Sequence, residues 1–553
     1  SRRNLSISRA RLRSSKSPVS VTAHPIRRRS SQLRSAPREF KWSPRRPCGM
    51  ERRLGLNQIL FLAILAWIAM RGFAPLWVVG IIAAWYFGLV YLEQNGTLDR
   101  WNATRVLGMI LMVRTGRGKV ALEKMARPRR FWRAYGEFSI WLCFIVMLGV
   151  ILLIVTAALA TAAAPSEQNV LPASDLLLIP GVTSFVPFWW PVIALVIALI
   201  IHEYSHGLQA RAHGMQVRSF GLLLVGPLPM GAFAEPEYEE MMRAPRRERL
   251  RLYAAGPSIN LIATFVVLIL LSATATGFAA GTPGVHASAI IEETGAEDAG
   301  LMPYETITHI GEERINDYNE FTDAMGVYSS GETAEFTVVS SAAHGEAETR
   351  IIEITFTDRW QYHIDQCEKD PNCVQSELEE QLTEIGIEQG DAFVGVSGLR
   401  SNTAAVEGWS FVFDDQFTPA QKSLGLLITP LVLLGTPIAL DGHTMPLEQR
   451  AMLTAGDGPI ASTLGTDGML ATFDFLFWLA WINFILGFAN LIPMIPFDGG
   501  HMFRDAAHST MRFVMRGADP IRIEGAANRL SSMSSLFVLF IVAIPIILPR
   551  LVA

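Results

Sequence analysis

The chain has 553 residues, half of them hydrophobic and only 18% charged, with a positive mean hydropathy. That length allows several domains, and the composition is that of a polytopic membrane protein. The formal net charge of -4 hides basic loops and one acidic insertion, and four cysteines are too few for a disulfide framework. No nucleotide-binding glycine motif and no basic nucleic-acid-binding pattern is present, so neither nucleotide nor nucleic acid is an expected partner.

Residues 1–49 are rich in Arg and Ser, and Met50-Glu-Arg-Arg-Leu54 reads as a natural start before an apolar helix; a basic arm on lipid or nucleic acid and a transit peptide are the other readings. Residues 50–135 form a membrane hairpin, with apolar stretches at 56–70 and 73–93, followed by a basic loop that the positive-inside rule assigns to the cytoplasm. A membrane core over 136–280 holds three spans, at 136–164, 188–210 and 252–279. The loop 165–187 has no Lys or Arg, whereas Arg211, Arg218, Arg243 and Arg246 follow the second of these spans. The polar insertion 281–422 therefore lies outside. The 423–470 linker contains an apolar run, Ser423 to Leu440, with Pro430 and Pro437, expected on or dipping into the outer face of the bilayer. Residues 471–553 complete the core with spans at 471–494 and 533–549, about seven transmembrane helices in all.

His202-Glu203-Tyr204-Ser205-His206 closes an uncharged stretch that begins at Phe188. On a helix, i,i+4 spacing puts both imidazoles on one face, where they can bind one zinc ion with Glu203 beside it as general base. Ionisable residues are costly in such a place, which marks them as functional. A third ligand is needed if one position is to stay open for water, and Asp498 supplies it, after a helix that Pro493 and Pro496 end and before Gly499-Gly500, read as tight turns. Val217 to Ala234, broken by Gly221, Gly226, Pro227, Pro229 and Gly231, reads as a strand-turn-strand folded toward the membrane, offering an edge to an extended substrate, or as a cytoplasmic linker. His213, His309 and His501 are loop, surface or supporting histidines, and His501 could orient Asp498.

Together with Gly256-Pro257-Ser258-Ile259-Asn260 and Asn490-Leu-Ile-Pro493 leading to Asp498-Gly499, the histidine motif resembles the intramembrane metalloproteases known as site-2 proteases. The resemblance covers about residues 74–510, and Pro128 to Tyr135 and Trp478 to Phe484 look like an archaeal branch. It implies zinc on His202, His206 and Asp498, water activation by Glu203, and substrate contacts at Asn260 and Asn490, with Gly231 and Pro493 as further candidate substrate-binding residues. It also implies single-span membrane proteins as substrates and a place in the cell membrane, while the charge of the flanking loops puts the active site near the cytoplasmic side. Within the insertion, Ala296 to Asn316 is similar to the carboxylate-binding-loop region of PDZ domains, an α+β module. Trp360 to Gly390 departs from a minimal PDZ pattern; Cys367 and Cys373 within it pair if they face an oxidising outside and are otherwise free thiols. A silent membrane scaffold with structural zinc and a metal transporter are the rival functions. Neither gives a reason for Glu203 beside the histidines.

Overall fold

The computed structural model describes residues 76–552 except 107, 117, 165–174, 176–177, 227, 341–346 and 372, together with part of 61–70, which is helical. Two compact units divide the chain, Ser1–Arg71 and Gly72–Ala553. The extension 1–49, the start at Met50 and the turn at Arg71-Gly72 fall outside the described residues.

Eight helices organise the second unit: α1 Leu76–Gln94, α2 Arg129–Ala163, α3 Trp189–Ala212, α4 Arg246–Ala275, α5 Pro419–Ala439, α6 Pro459–Ala489, α7 Asp498–Val514 and α8 Pro520–Val552. Among the described residues, six of these (α2, α3, α4, α5, α6 and α8) are long and apolar enough to cross a membrane. A helix satisfies its own backbone polar groups, as hydrocarbon requires. The outer faces of α2 and α8 are apolar rather than polar, with Trp141, Ile145, Leu148, Leu536, Phe537 and Phe540 exposed.

The core lies among α3, α4 and α6. Ala194, Ala198, Leu271, Phe473, Phe477 and Trp478 are buried there. Small residues let the backbones approach. A Cβ at Gly487 of α6 would meet the Pro257 carbonyl of α4 at 3.1 Å and Leu261 at 3.2 Å.

Helix α5, Pro419–Ala439, is the run expected on or dipping into the outer face of the bilayer, and by length and composition it is also long and apolar enough to cross. Its flanks nevertheless meet one end of the bundle. Val412 N–H donates to Ser272 near the end of α4, and Gly442 packs against Phe185, just before α3.

Strands β1 Ala103–Val106, β2 Ile110–Thr115, β3 Val217–Val225 and β4 Leu228–Pro236 form an antiparallel sheet in the order β1-β2-β3-β4. The strand-turn-strand expected at 217–234 is thus present, but the basic loop adds a second hairpin to it, through pairs such as Val113↔Leu222. Gly221 is needed there, since a Cβ would overlap the Phe233 ring opposite. A register shift at Leu223/Leu224 bends β4, which is one of the sheet's two edge strands.

At the other end of the bundle, β5 Phe278–Ala280 leaves α4 and the insertion begins. Its sheet runs β9-β8-β7-β6-β10, with β6 Val285–His286, β7 Thr306–Ile310, β8 Thr333–Val339, β9 Thr349–Thr355 and β10 Arg400–Ser401. Period-two alternation buries Ala334, Phe336 and Val338 on one face of β8. The departure at 360–390 is a pair of helices, Arg359–Lys369 and Gln375–Glu384, and a disulfide joins Cys367 to Cys373. After α5, β11 Leu453–Ala455 pairs antiparallel with β5, returning the chain to the same end of the bundle.

Candidate metal centre

Helix α3 carries His202, Glu203 and His206, whose donor atoms lie within 4.8 Å of one another. Nε2 of each histidine is 3.3 Å from Oδ2 of Asp498, at the start of α7. Bonds of ~2.05 Å in a tetrahedral zinc site give a ligand-to-ligand edge of about 3.3 Å. Both Nδ1 atoms face acceptors at 2.7 Å, Asn260 Oδ1 for His202 and the Leu252 carbonyl for His206. Each Nδ1 therefore carries the proton, and both Nε2 lone pairs turn toward the carboxylate. Two neutral imidazoles and one carboxylate with a fourth position open fit zinc by number, geometry and protonation.

Local sequence explains this placement. Gly256 of α4 lies directly beneath the histidines, and a Cβ there would overlap Nε2 of both. Asn260, one turn later, is fully buried; its amide donates to the Ala198 carbonyl (3.2 Å) and to Asn483 Oδ1 of α6 (2.8 Å), which leaves its oxygen for His202. Asn483 in turn donates to the Leu479 carbonyl at 2.8 Å. The Asp498 carboxylate is aimed differently from the sequence expectation. Gly499 and Gly500 are the first turn of α7, not a loop, and neither has positive φ. They lack side chains because the 491–495 backbone lies against them: a Cβ at 499 would meet the Leu491 carbonyl at 2.6 Å. Gly499 N–H also donates to the Asn490 carbonyl, 2.7 Å away.

A cavity of about 590 Å³ opens on the centre, lined by His202, Glu203, His206, Gly231, Asn490, Asp498 and His501 among others. Glu203 is held from the sheet: one carboxylate oxygen accepts Ala234 N–H of β4 at 2.7 Å. The structure thus brings together six of the expected residues, His202, Glu203, His206, Gly231, Asn490 and Asp498. Two stand apart. Asn260 is sealed behind His202, and the Pro493 carbonyl accepts from Ser534 of α8. Sequence reasoning missed Asn483, although an amide inside an apolar span is itself a signal. It also missed Arg249, buried and bonded to both oxygens of Asp505 (2.8 and 2.9 Å), which clamps α7 to α4.

Comparison with known proteins agrees with this geometry. The zinc metalloprotease Rip1 of Mycobacterium tuberculosis is 25% identical over 422 residues, 67% of this chain and 95% of that protein. The zinc metalloprotease RasP of Oceanobacillus iheyensis is 24% identical over 271 residues, 45% of this chain and 48% of that one. An uncharacterized protein of Methanocaldococcus jannaschii is 29% identical over 186 residues, 33% of this chain, and the chain spans about half (49%) of its length. The family model for peptidase family M50 matches residues 190–523, a stretch that takes in both histidines, Glu203, the Gly256 to Asn260 turn and Asp498. With the histidine pair, its carboxylate and well over half of the chain inside that match, this integral membrane protein belongs to peptidase family M50, the site-2 protease family of zinc metalloproteases.

Proposed function

We propose that this chain is an intramembrane zinc endopeptidase that hydrolyses a peptide bond within a transmembrane segment of a single-span protein, with its centre near the cytoplasmic side. The observation that carries this reading is the convergence of His202, His206 and Asp498, 3.3 Å between ligand atoms, inside a bundle of apolar helices with Glu203 on the cavity wall. A purely structural zinc site has no use for that fourth residue.

His202, His206 and Asp498 would hold the zinc, and Glu203 would work beside it. When bound, zinc supplies Lewis acidity, which lets water act as a nucleophile near pH 7. Glu203 takes the proton from that water and passes it to the leaving amine. Its hold on Ala234 N–H fixes the carboxylate for both transfers. Because Ala234 N–H points away from β3, the backbone of Ala232, two residues along the same strand, also faces outward. An unwound substrate adds there as an extended strand, which brings one peptide bond to Glu203. Asn490, on the cavity wall, contacts that strand.

Charge supports the orientation, since the sheet end carries Arg114, Arg211, Arg218 and Arg243 and the disulfide lies in the insertion at the opposite end. The insertion acts as a PDZ-like gate over the outer approach.

The test uses purified wild type, His202→Ala and Glu203→Gln in detergent, with zinc quantified and a panel of single-span membrane proteins as substrates. Zinc in wild type and Glu203→Gln, loss from His202→Ala, and cleavage by wild type alone are expected. Undiminished cleavage by Glu203→Gln would overturn the assignment.

A further inference from the structure

His501 stands three residues after Asp498, on the same side of α7, and lines the cavity with Glu203 and Asn490. Its ring stacks on Tyr253 of α4, with centroids 5.0 Å apart and planes 18° from parallel. The expectation that it orients Asp498 is not met, because no hydrogen bond joins them and Oδ2 of Asp498 faces the two Nε2 atoms of α3. Its Nδ1 is buried and has no hydrogen-bond partner. The ring lines the cavity, and Nε2, unlike Nδ1, is not among the enclosed unbonded atoms.

Several of the other nitrogen groups close to the centre are engaged. Both α3 histidines use Nδ1 on Asn260 and Leu252 and turn Nε2 to the Asp498 carboxylate. One of the two Asn490 Nδ2 protons goes to the Leu486 carbonyl at 3.0 Å, and Ala234 N–H donates to Glu203. Peptide hydrolysis places negative charge on the former carbonyl oxygen, and a preorganised donor aimed at that oxygen is among the largest single contributions to such reactions.

We propose that His501 is a catalytic residue whose Nε2–H donates to the carbonyl oxygen of the scissile bond and to the oxyanion that replaces it. This rests on the protease reading above. As the water oxygen bonds to the carbonyl carbon, its proton passes to Glu203 and the C=O π pair moves onto oxygen, where His501 meets it. When the pair returns, the C–N bond breaks and Glu203 gives the proton to the amine. The stack on Tyr253 fixes the ring without using either nitrogen.

Two variants separate donor from scaffold. His501→Phe keeps a ring on Tyr253 and removes the donor, whereas His501→Gln restores an N–H near the Nε2 position. Wild type, both variants and Glu203→Gln are compared for zinc content, kcat and KM on one cleaved substrate. Full zinc in every case is expected, with kcat of His501→Phe lowered ~100–1,000-fold, KM little changed, and much of the rate restored in His501→Gln. Wild-type kcat in His501→Phe, or loss of zinc from it, would overturn the role of His501 while leaving the protease reading intact. Absence of cleavage by the wild type, or equal cleavage by Glu203→Gln, would overturn both.

Discussion

Gly256 shows how a single atom decides the site. Its missing side chain leaves the space in which both Nε2 atoms sit, so Gly256→Ala must push His202, His206 or α4 itself out of place. Removing supports of metal ligands typically costs ~10–100-fold in metal affinity, and we expect at least that loss in chelator competition, with helix content by circular dichroism unchanged. Wild-type affinity in Gly256→Ala would refute the account. Asn260 was visible from its motif, yet its direction was not. The sequence resemblance assigned it to substrate, whereas the fold turns its oxygen to His202 and its amide to Asn483, 223 residues away in the chain. The two histidines and their general base were legible because His202, Glu203 and His206 lie within one helical turn or so, where spacing becomes geometry directly. Asn483 had no such local partner, and only the packing of α4 on α6 reveals what it supports.

Among elements, the helices were legible from apolar length, while the sheet was legible only in part. Gly and Pro marked the turn between β3 and β4. Strands β1 and β2 lay hidden in a basic loop because Ile110-Leu-Met-Val113 is an apolar run without alternation and its partner β3 is far off in sequence. Gly499-Gly500 was misread for a similar reason: glycine signals either a turn or a close approach, and here the 491–495 backbone supplies the approach. The attachment of α7 carries a separate prediction. Arg249 and Asp505 are buried and doubly hydrogen-bonded, so Asp505→Ala strands a guanidinium in the interior. Breaking such a pair costs ~3–5 kcal/mol, whereas replacing both partners by apolar side chains of similar size is often close to neutral. Thermal unfolding of Asp505→Ala should fall well below wild type, and Arg249→Met with Asp505→Leu should recover most of the difference. If the double variant is no more stable than the single one, α7 is held by something other than this pair.

On the scale of the whole molecule, the insertion is fastened to the bundle by the connector that follows α5. Leu453 to Ala455 pairs with Phe278 to Ala280, while Arg450 binds both oxygens of Asp474 on α6 at 2.9 Å. Between these contacts Gln449 Nε2 meets His286 Nε2 at 3.2 Å, and His286 Nδ1 meets Asn402 Oδ1 at 2.8 Å. The amide N–H needs an acceptor and Asn402 Oδ1 needs a donor, so His286 is neutral, protonated at Nδ1. Burial, aided by Arg400, holds its pKa below the ordinary 6.5. A histidine whose folded pKa is depressed contributes full stability above the unfolded value, and loses it as pH falls from about 6.5 toward the folded pKa, because there the unfolded chain binds the extra proton. Protonation at Nε2 would also turn Gln449 away. Acidification from pH 7.5 to 5 should therefore loosen the insertion from the bundle first at this seam. Hydrogen exchange, corrected for its intrinsic pH dependence, should show protection lost in 278–286 and 449–455 before the helices of the core. His286→Gln keeps a donor and an acceptor without the titration, so its protection should hold across the same range. An equal acid loss in that variant would move the origin of the effect away from His286.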